Sequence, residues 1–117
     1  MIHTLLILND PPYGTEKSYN ALRLARSLLD KGVSGVRVFL MGDAATCAHA
    51  GQKVAQGYYN IADMLGAVLR RGGEVGVCGT CMDARGITTD ELVEGAQRGS
   101  MDQLTAWTAG ADKVLVF

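Results

Sequence analysis

Cysteine is scarce in this chain, and odd in number: three residues in 117. A secreted disulfide scaffold carries an even and larger set, so a disulfide framework is excluded as the source of the fold. Charge of one sign is missing too. Lys and Arg number 11 against 12 Asp and Glu, for a formal net charge of −1. That balance leaves no electrostatic footprint for nucleic acid or an anionic membrane. The pair Arg70–Arg71 reads as a helix end rather than a phosphate site. Long apolar runs are absent, and none approaches the roughly 18 residues of a membrane span. The opening MIHTLLILND lacks the basic start, apolar stretch and cleavage site of a secretory signal. The expectation is a cytoplasmic protein with no nucleic-acid or membrane partner. In a reducing compartment, paired cysteines signal chemistry or metal more often than a staple.

What is present is a core. Apolar residues make up 48% of the chain, enough at this length for one self-supporting domain spanning residues 1–117. Residues 4–8, TLLIL, form a short apolar run that stops at the turn cluster NDPPYGT, which predicts a buried strand. Asp10, Pro11 and Pro12 shape that turn. A helix follows over Glu16–Lys31, with Ala21, Leu22, Ala25, Leu28 and Leu29 on one face and Gly32 as its C-terminal cap. VRVFLM, 36–41, predicts a second strand covered on both faces.

A long connection, 43–60, then carries Cys47 and His49. Ile61, Met64, Leu65, Val68 and Leu69 predict an amphipathic helix over Ile61–Arg71, capped by Asn60 and stopped by Gly72–Gly73. EVGVC, 74–78, is a third strand, and 79–88 reads as a loop ending in a capping box at Thr88 and Glu91. LVEGA, 92–96, reads as a short fourth strand. Ser100 and Gln103 open a helix to about Ala109, and KVLVF, 113–117, closes the chain as a strand. Alternating strands and helices imply an α/β fold with right-handed crossovers and a parallel sheet between helical layers.

In such sheets ligands bind outside the carboxyl ends of the strands. Cys78 lies at the tip of the third strand, with Cys81 three residues on in the stretch VCGTC. Several chemistries fit this pair. The spacing supplies half of a structural zinc site, but a second pair is missing, and only Cys47 and His49 stand in reserve. A thioredoxin-like dithiol places its first cysteine at a helix N-terminus, whereas here Gly86 interrupts any helix soon after the motif. The third chemistry is a single nucleophilic thiolate at Cys78, approachable because Gly76 and Gly79 flank it and favoured by the charge of Arg85. Such a thiol can accept sulfur as a persulfide and pass it on. A packed, inert cysteine is the plain alternative. Around the pair, Asp83 and Arg85 are expected to pair with each other or to tune the thiolate. Tyr58 and Tyr59 are expected to line a pocket or an interface, or simply to pack. Cys47 reads as a loop thiol or a packed one, and His49 as a base, a ligand or a surface imidazole. Trp107 is expected in the core or an interface.

Five stretches carry a resemblance over essentially the whole chain: ILNDPPYGTEKSYNALRLA, VFLMGDAATCAHAGQ, GYYNIADML, VCGTCMDARG, and the tail GSMDQLTAW with ADKVLVF. In order and spacing they resemble the DsrE/DsrF-like family, which includes sulfur-relay subunits. The resemblance implies a three-layer α/β/α fold with a mostly parallel sheet of about five strands, and assembly into a homotrimer or homohexamer. It implies a persulfide-carrying cysteine at the tip of the third strand, eight residues before a glycine; here these are Cys78 and Gly86. Cys81 departs from the relay members, and the CGTC form is closer to YchN-like ones. Cys81 could resolve a persulfide into a Cys78–Cys81 disulfide. The alternatives to a carrier are a dithiol–disulfide redox protein and a non-catalytic ligand- or partner-binding assembly protein. The expected function is therefore a sulfur carrier that needs no metal or cofactor, with Cys78 and Cys81 at its centre. Asp10, Cys47, Tyr59, Gly79, Asp83 and Arg85 are its expected support.

Overall fold

The computed structural model describes residues 1–117, and the chain builds one α/β/α sandwich. The elements are β1 (His3–Leu8), α1 (Lys17–Asp30), β2 (Gly35–Leu40), a 3-10 segment (Gly42–Ala48) and α2 (Ile61–Arg70). They continue with β3 (Glu74–Cys78), α3 (Gly79–Ala84), a 3-10 turn (Thr89–Glu91), β4 (Gln97–Gly99), α4 (Met101–Gly110) and β5 (Lys113–Val116). The sheet has five strands in the order β4-β3-β2-β1-β5. Every pairing is parallel, so the expected mostly parallel sheet is wholly so.

Alternation along the strands divides the core. Leu6, Leu8, Val36, Val38, Leu40, Val75 and Val77 face α1 and α2, where they meet Ala21, Leu22, Ala25, Ile61, Leu65 and Val68. The opposite face is thinner: Leu5, Phe39 and Leu104 of α4 are buried there, with Ile7, Met41, Cys78 and Trp107 packed around them. Phe39 meets Trp107 edge-on, ring centres 6.0 Å apart.

The helices begin and end where the side chains require. Asn60 Oδ1 accepts from the Asp63 N–H at 3.0 Å and opens α2. Gly32 turns with a positive φ of 88° after α1. There its N–H reaches the Leu29 carbonyl while that of Val33 reaches Leu28, closing free carbonyls of the last turn.

Three segments differ from expectation. LVEGA is not a strand. Leu92 is buried, and its neighbourhood bonds to the 48–50 segment, with Val93 N–H donating to the Ala48 carbonyl and Ala50 N–H to that of Glu91. The fourth strand is instead Gln97–Gly99, whose polar QRG pairs with β3 in the register Gly76–Gln97, Val77–Arg98 and Cys78–Gly99. The loop after Cys78 contains a helix, α3. The capping box at Thr88 and Glu91 forms, but it opens only the short 3-10 turn. At α4, Ser100 Oγ accepts from the Gln103 N–H at 3.2 Å. Gln103 does not reach back. Its side chain lies on the sheet, its Oε1 only 2.8 Å from where a Cβ on Gly76 would stand.

The crossovers place the crevice. α1 and α2 cover one face, and the chain leaving β3 also turns to that side, with Cys81 and Met82 packing into the larger core. The chain leaving β4 turns to the other side, into α4. Adjacent strands whose exits diverge leave a gap at their carboxyl ends, where open α/β sheets bind ligands. In this chain those two strands end at Cys78 and Gly99, which pair with each other.

Candidate functional site

Cys78 has two structural roles. It is the last residue of β3 and the N-cap of α3. Its side chain lies on the α4 face and is half-buried. Sγ accepts from the Cys81 N–H at 3.4 Å and lies 3.4 Å from Thr80 Oγ1. Partial burial pushes the Cys78 thiol up, but hydrogen bonds from the Cys81 thiol, the Thr80 hydroxyl and the amides of both residues outweigh it. The net effect holds Cys78 below the ordinary thiol value. The expectation that Gly86 would bar a helix here is corrected. Gly86 ends the helix, at a φ of 65°, but the six residues Gly79–Ala84 fit ahead of it.

Cys81 sits behind Cys78 and packs toward the larger core. The Gly42 N–H donates to its Sγ at 3.1 Å. Gly42 opens the 3-10 segment after β2 with a φ of 56°, a conformation that favours glycine. Burial and the neighbouring Cys78 push the Cys81 thiol up; the Gly42 amide and the charge of Arg85 pull against them and lose.

The two arginines are divided between the two sulfurs. Arg85 does not pair with Asp83 as expected. Its Nε and Nη2 bind Asp43 Oδ1 at 3.2 and 2.7 Å, and its Nη1 binds the Cys81 carbonyl at 3.1 Å. Asp83 instead grips Arg98 with both oxygens, at 2.9 and 3.0 Å. That fork holds the Asp83 carboxyl below the usual range. Arg98 also feels the charge of Cys78, after the stronger hold of Asp83. The attraction is mutual, since a cation beside a thiol favours its anion. Gly79 makes the approach possible, because a Cβ there would stand 2.8 Å from the Arg98 guanidinium.

The remaining expected residues lie elsewhere. Cys47 is not a loop thiol near Cys78. It is fully buried, its Sγ directed at the Asp10 carbonyl at 3.8 Å, and burial pushes its pKa up to about 12. Asp10 acts through its backbone, accepting the Ser18 hydroxyl at 2.9 Å, while its carboxylate accepts from Thr15. His49 bridges to Glu91 at 3.4 Å and to the Ala50 carbonyl. No three His, Cys, Asp or Glu side chains converge on a point, so Cys47 and His49 do not complete a zinc set with the pair. Tyr59 stacks between Tyr58 and Tyr19, ring centres 4.9 and 4.3 Å away, in a tyrosine cluster beside Glu16.

Sequence reasoning missed Arg98 and Gly42. Neither is near the cysteines in sequence. Arg98 arrives through the register of β4 and Gly42 through the exit of β2. Replacing Arg98 by Gln is expected to raise the pH midpoint of Cys78 alkylation, since a lost cation disfavours the thiolate. The rate at neutral pH falls up to about threefold, because the more basic thiolate is also the better nucleophile. Arg98→Lys should restore part of the shift. An unchanged midpoint in Arg98→Gln would show that the guanidinium does not act on Cys78.

Comparison with known proteins agrees with this architecture. The DsrE/DsrF-like family model matches residues 3–117. The chain is 42% identical to Protein YchN of Escherichia coli (strain K12) over 114 residues, 97% of each chain. It is 34% identical to the uncharacterized protein MJ0989 of Methanocaldococcus jannaschii, over 96% of each. The crystal structure of the ychN protein from E. coli superposes with a TM-score of 0.93 at 41% identity, covering all of both chains. The chain belongs to the DsrE/DsrF-like family and is YchN-like.

Proposed function

We propose that this chain is a sulfur carrier working through Cys78. The observation that carries the reading is a partly exposed thiol at the divergent strand ends, its Sγ accepting the Cys81 N–H and lying 3.4 Å from the Thr80 hydroxyl. The thiolate attacks the outer sulfur of a donor persulfide, R–S–SH. A bond forms between Cys78 Sγ and that sulfur, and R–S⁻ leaves with the electron pair. An acceptor thiolate then attacks the outer sulfur of the Cys78 persulfide, takes it, and returns Cys78 as thiolate. Neither step requires a metal or an organic cofactor.

The test is the intact mass of the reduced protein before and after glutathione persulfide, with Cys78→Ser alongside. The expected result is a gain of one sulfur atom that vanishes in Cys78→Ser. Absence of any gain in the wild-type chain would reject the carrier and favour a non-catalytic binding module.

We propose further that the carrier is a homotrimer or homohexamer in a reducing cytoplasm. Support comes from the apolar side chains left open beside α4. Val114 and Val116 share the α4 face by register with Leu5 and Ile7 and are exposed, as are Met101 and Ile2. Sedimentation should give a mass of three or six chains, reduced by Val116→Lys. A monomer at micromolar concentration would overturn this.

A further inference from the structure

The carrier reading leaves Cys81 without a task, although the Gly42 amide donates to its sulfur and Arg85 is held on its carbonyl. A bystander thiol needs neither. Gly42 brings an N–H to Cys81 Sγ at 3.1 Å from the exit of β2. Arg85, clamped by Asp43 at 2.7 Å, places positive charge beside it and binds its carbonyl. Both favour an anion on Cys81.

We propose that Cys81 is a resolving thiol that converts the loaded Cys78 persulfide into a Cys78–Cys81 disulfide and releases the carried sulfur as hydrosulfide. This deepens the carrier reading and rests on it. The residues are three apart across the first turn of α3, where side chains lie about 5–6 Å apart at Cβ. A disulfide holds its Cβ atoms roughly 3.5–4.5 Å apart, so the turn closes by about 1–2 Å to form it. Cys81 approaches from the core side and Cys78 opens toward solvent, so attack on Cys78 Sγ sends the outer sulfur outward.

The step balances. Cys81 gives up its proton, and its sulfur bonds to Cys78 Sγ. The bond from Cys78 Sγ to the outer sulfur breaks, and that sulfur leaves with the electron pair as HS⁻, carrying the proton. The sulfane sulfur is reduced and the two cysteines are oxidised. An external dithiol reductant then restores both thiols by exchange, becoming a disulfide itself.

Loading also arms the step. In the unloaded site the negative charge of Cys78 and its hydrogen bond from the Cys81 thiol keep the Cys81 proton in place. In the persulfide the inner sulfur is uncharged and the negative charge moves one atom outward. The opposition to Cys81 ionisation weakens, while the Gly42 amide and Arg85 stay. Gly42, Arg85 and Asp43 are thus positioning residues for Cys81, as Arg98 and Asp83 are for Cys78.

The test uses the reduced full chain with one equivalent of glutathione persulfide and no other reductant. Intact mass and free hydrosulfide are followed in time for the wild type, Cys81→Ser, Cys81→Ala and Arg85→Gln. The wild type should gain one sulfur and then decay to a species lacking two hydrogens, with one hydrosulfide released per loaded chain. In both Cys81 variants the added sulfur should persist without that release. Arg85→Gln should resolve about threefold more slowly at neutral pH and recover as pH rises, a recovery that a packing defect would not produce. If the wild-type persulfide lasts as long as in the Cys81 variants, resolution is overturned and the carrier stands. If wild-type and Cys81-variant chains all take up no sulfur, both readings fall. A resolution rate in Arg85→Gln equal to the wild type at every pH would remove Arg85 from the scheme.

Discussion

In neutral buffer, iodoacetamide is expected to modify Cys78 first, Cys81 more slowly, and Cys47 not at all while the chain is folded. The thiolate is the reacting species. Cys78 is held below the ordinary thiol value and Cys81 above it. For Cys47, burial raises the pKa from 9.0 to about 12. That displacement cuts the thiolate fraction at neutral pH about a thousandfold. The greater nucleophilicity of a more basic thiolate recovers about thirtyfold, leaving a deficit of about thirtyfold from ionisation alone. Cys47 also has no accessible surface, which closes the remaining route.

Timed labelling and peptide mapping, with and without denaturant, would read the order directly. Folded-state labelling of Cys47 at a rate near that of Cys78 would contradict the packing described here. The same residue sets a pH limit. Its folded pKa is raised, so its contribution to stability is fully present below pH 9. That contribution is lost as pH climbs from 9 toward about 12, where the unfolded chain releases the proton first. Cys47→Ala should flatten that part of the stability curve.

Replacement of Phe39 by Ala is expected to cost about 3–5 kcal/mol. Phe39 is 1% exposed and is the largest side chain of the three buried on the α4 face. Its ring lies over Gly76, 3.0 Å from where a Cβ would stand, and meets Trp107 edge-on. The opposite face spreads its burial over twenty residues, so a comparable truncation there has more neighbours to close around it. A domain of this size is worth about 5–15 kcal/mol in all. The melting temperature should therefore fall by about 10–20 °C. Leu24→Ala, at an exposed position of α1, should stay within about 0.5 kcal/mol. A loss under about 1 kcal/mol for Phe39→Ala would mean that α4 does not depend on this ring. Cys78 packs against the same cluster, so its alkylation rate reports whether the site loosens with α4.

Where hydrophobic spacing and local punctuation agreed, the chain was legible. β3 matches its expected span, and α2 ends one residue short of its expected one, because Asn60, the apolar stripe and Gly72 each act within a few residues. β4 was not legible. QRG has no strand propensity and becomes a strand only because β3 offers it a partner. The LVEGA stretch misled for the converse reason: Leu92 is taken into the larger core while the backbone around it bonds to the 48–50 segment instead of the sheet. Within the site, Cys78 and Gly79 were readable from the strand–turn boundary, and so was Cys81. The pairings were not. Asp83 and Arg85 are neighbours in sequence, yet each takes its partner from another element. α3 was hidden by its length, since six residues give no periodicity to read.

Residue 81 holds Cys78 Sγ through its backbone N–H at 3.4 Å, with the Cys81 thiol as a second donor. Position 81 can therefore change its side chain while keeping its amide on the carrier sulfur. Cysteine and serine codons differ by one nucleotide. By this reading, a protein that only carries sulfur and one that also discharges it are separated by a single point mutation, with the fold and the amide's bond to the first thiol left in place.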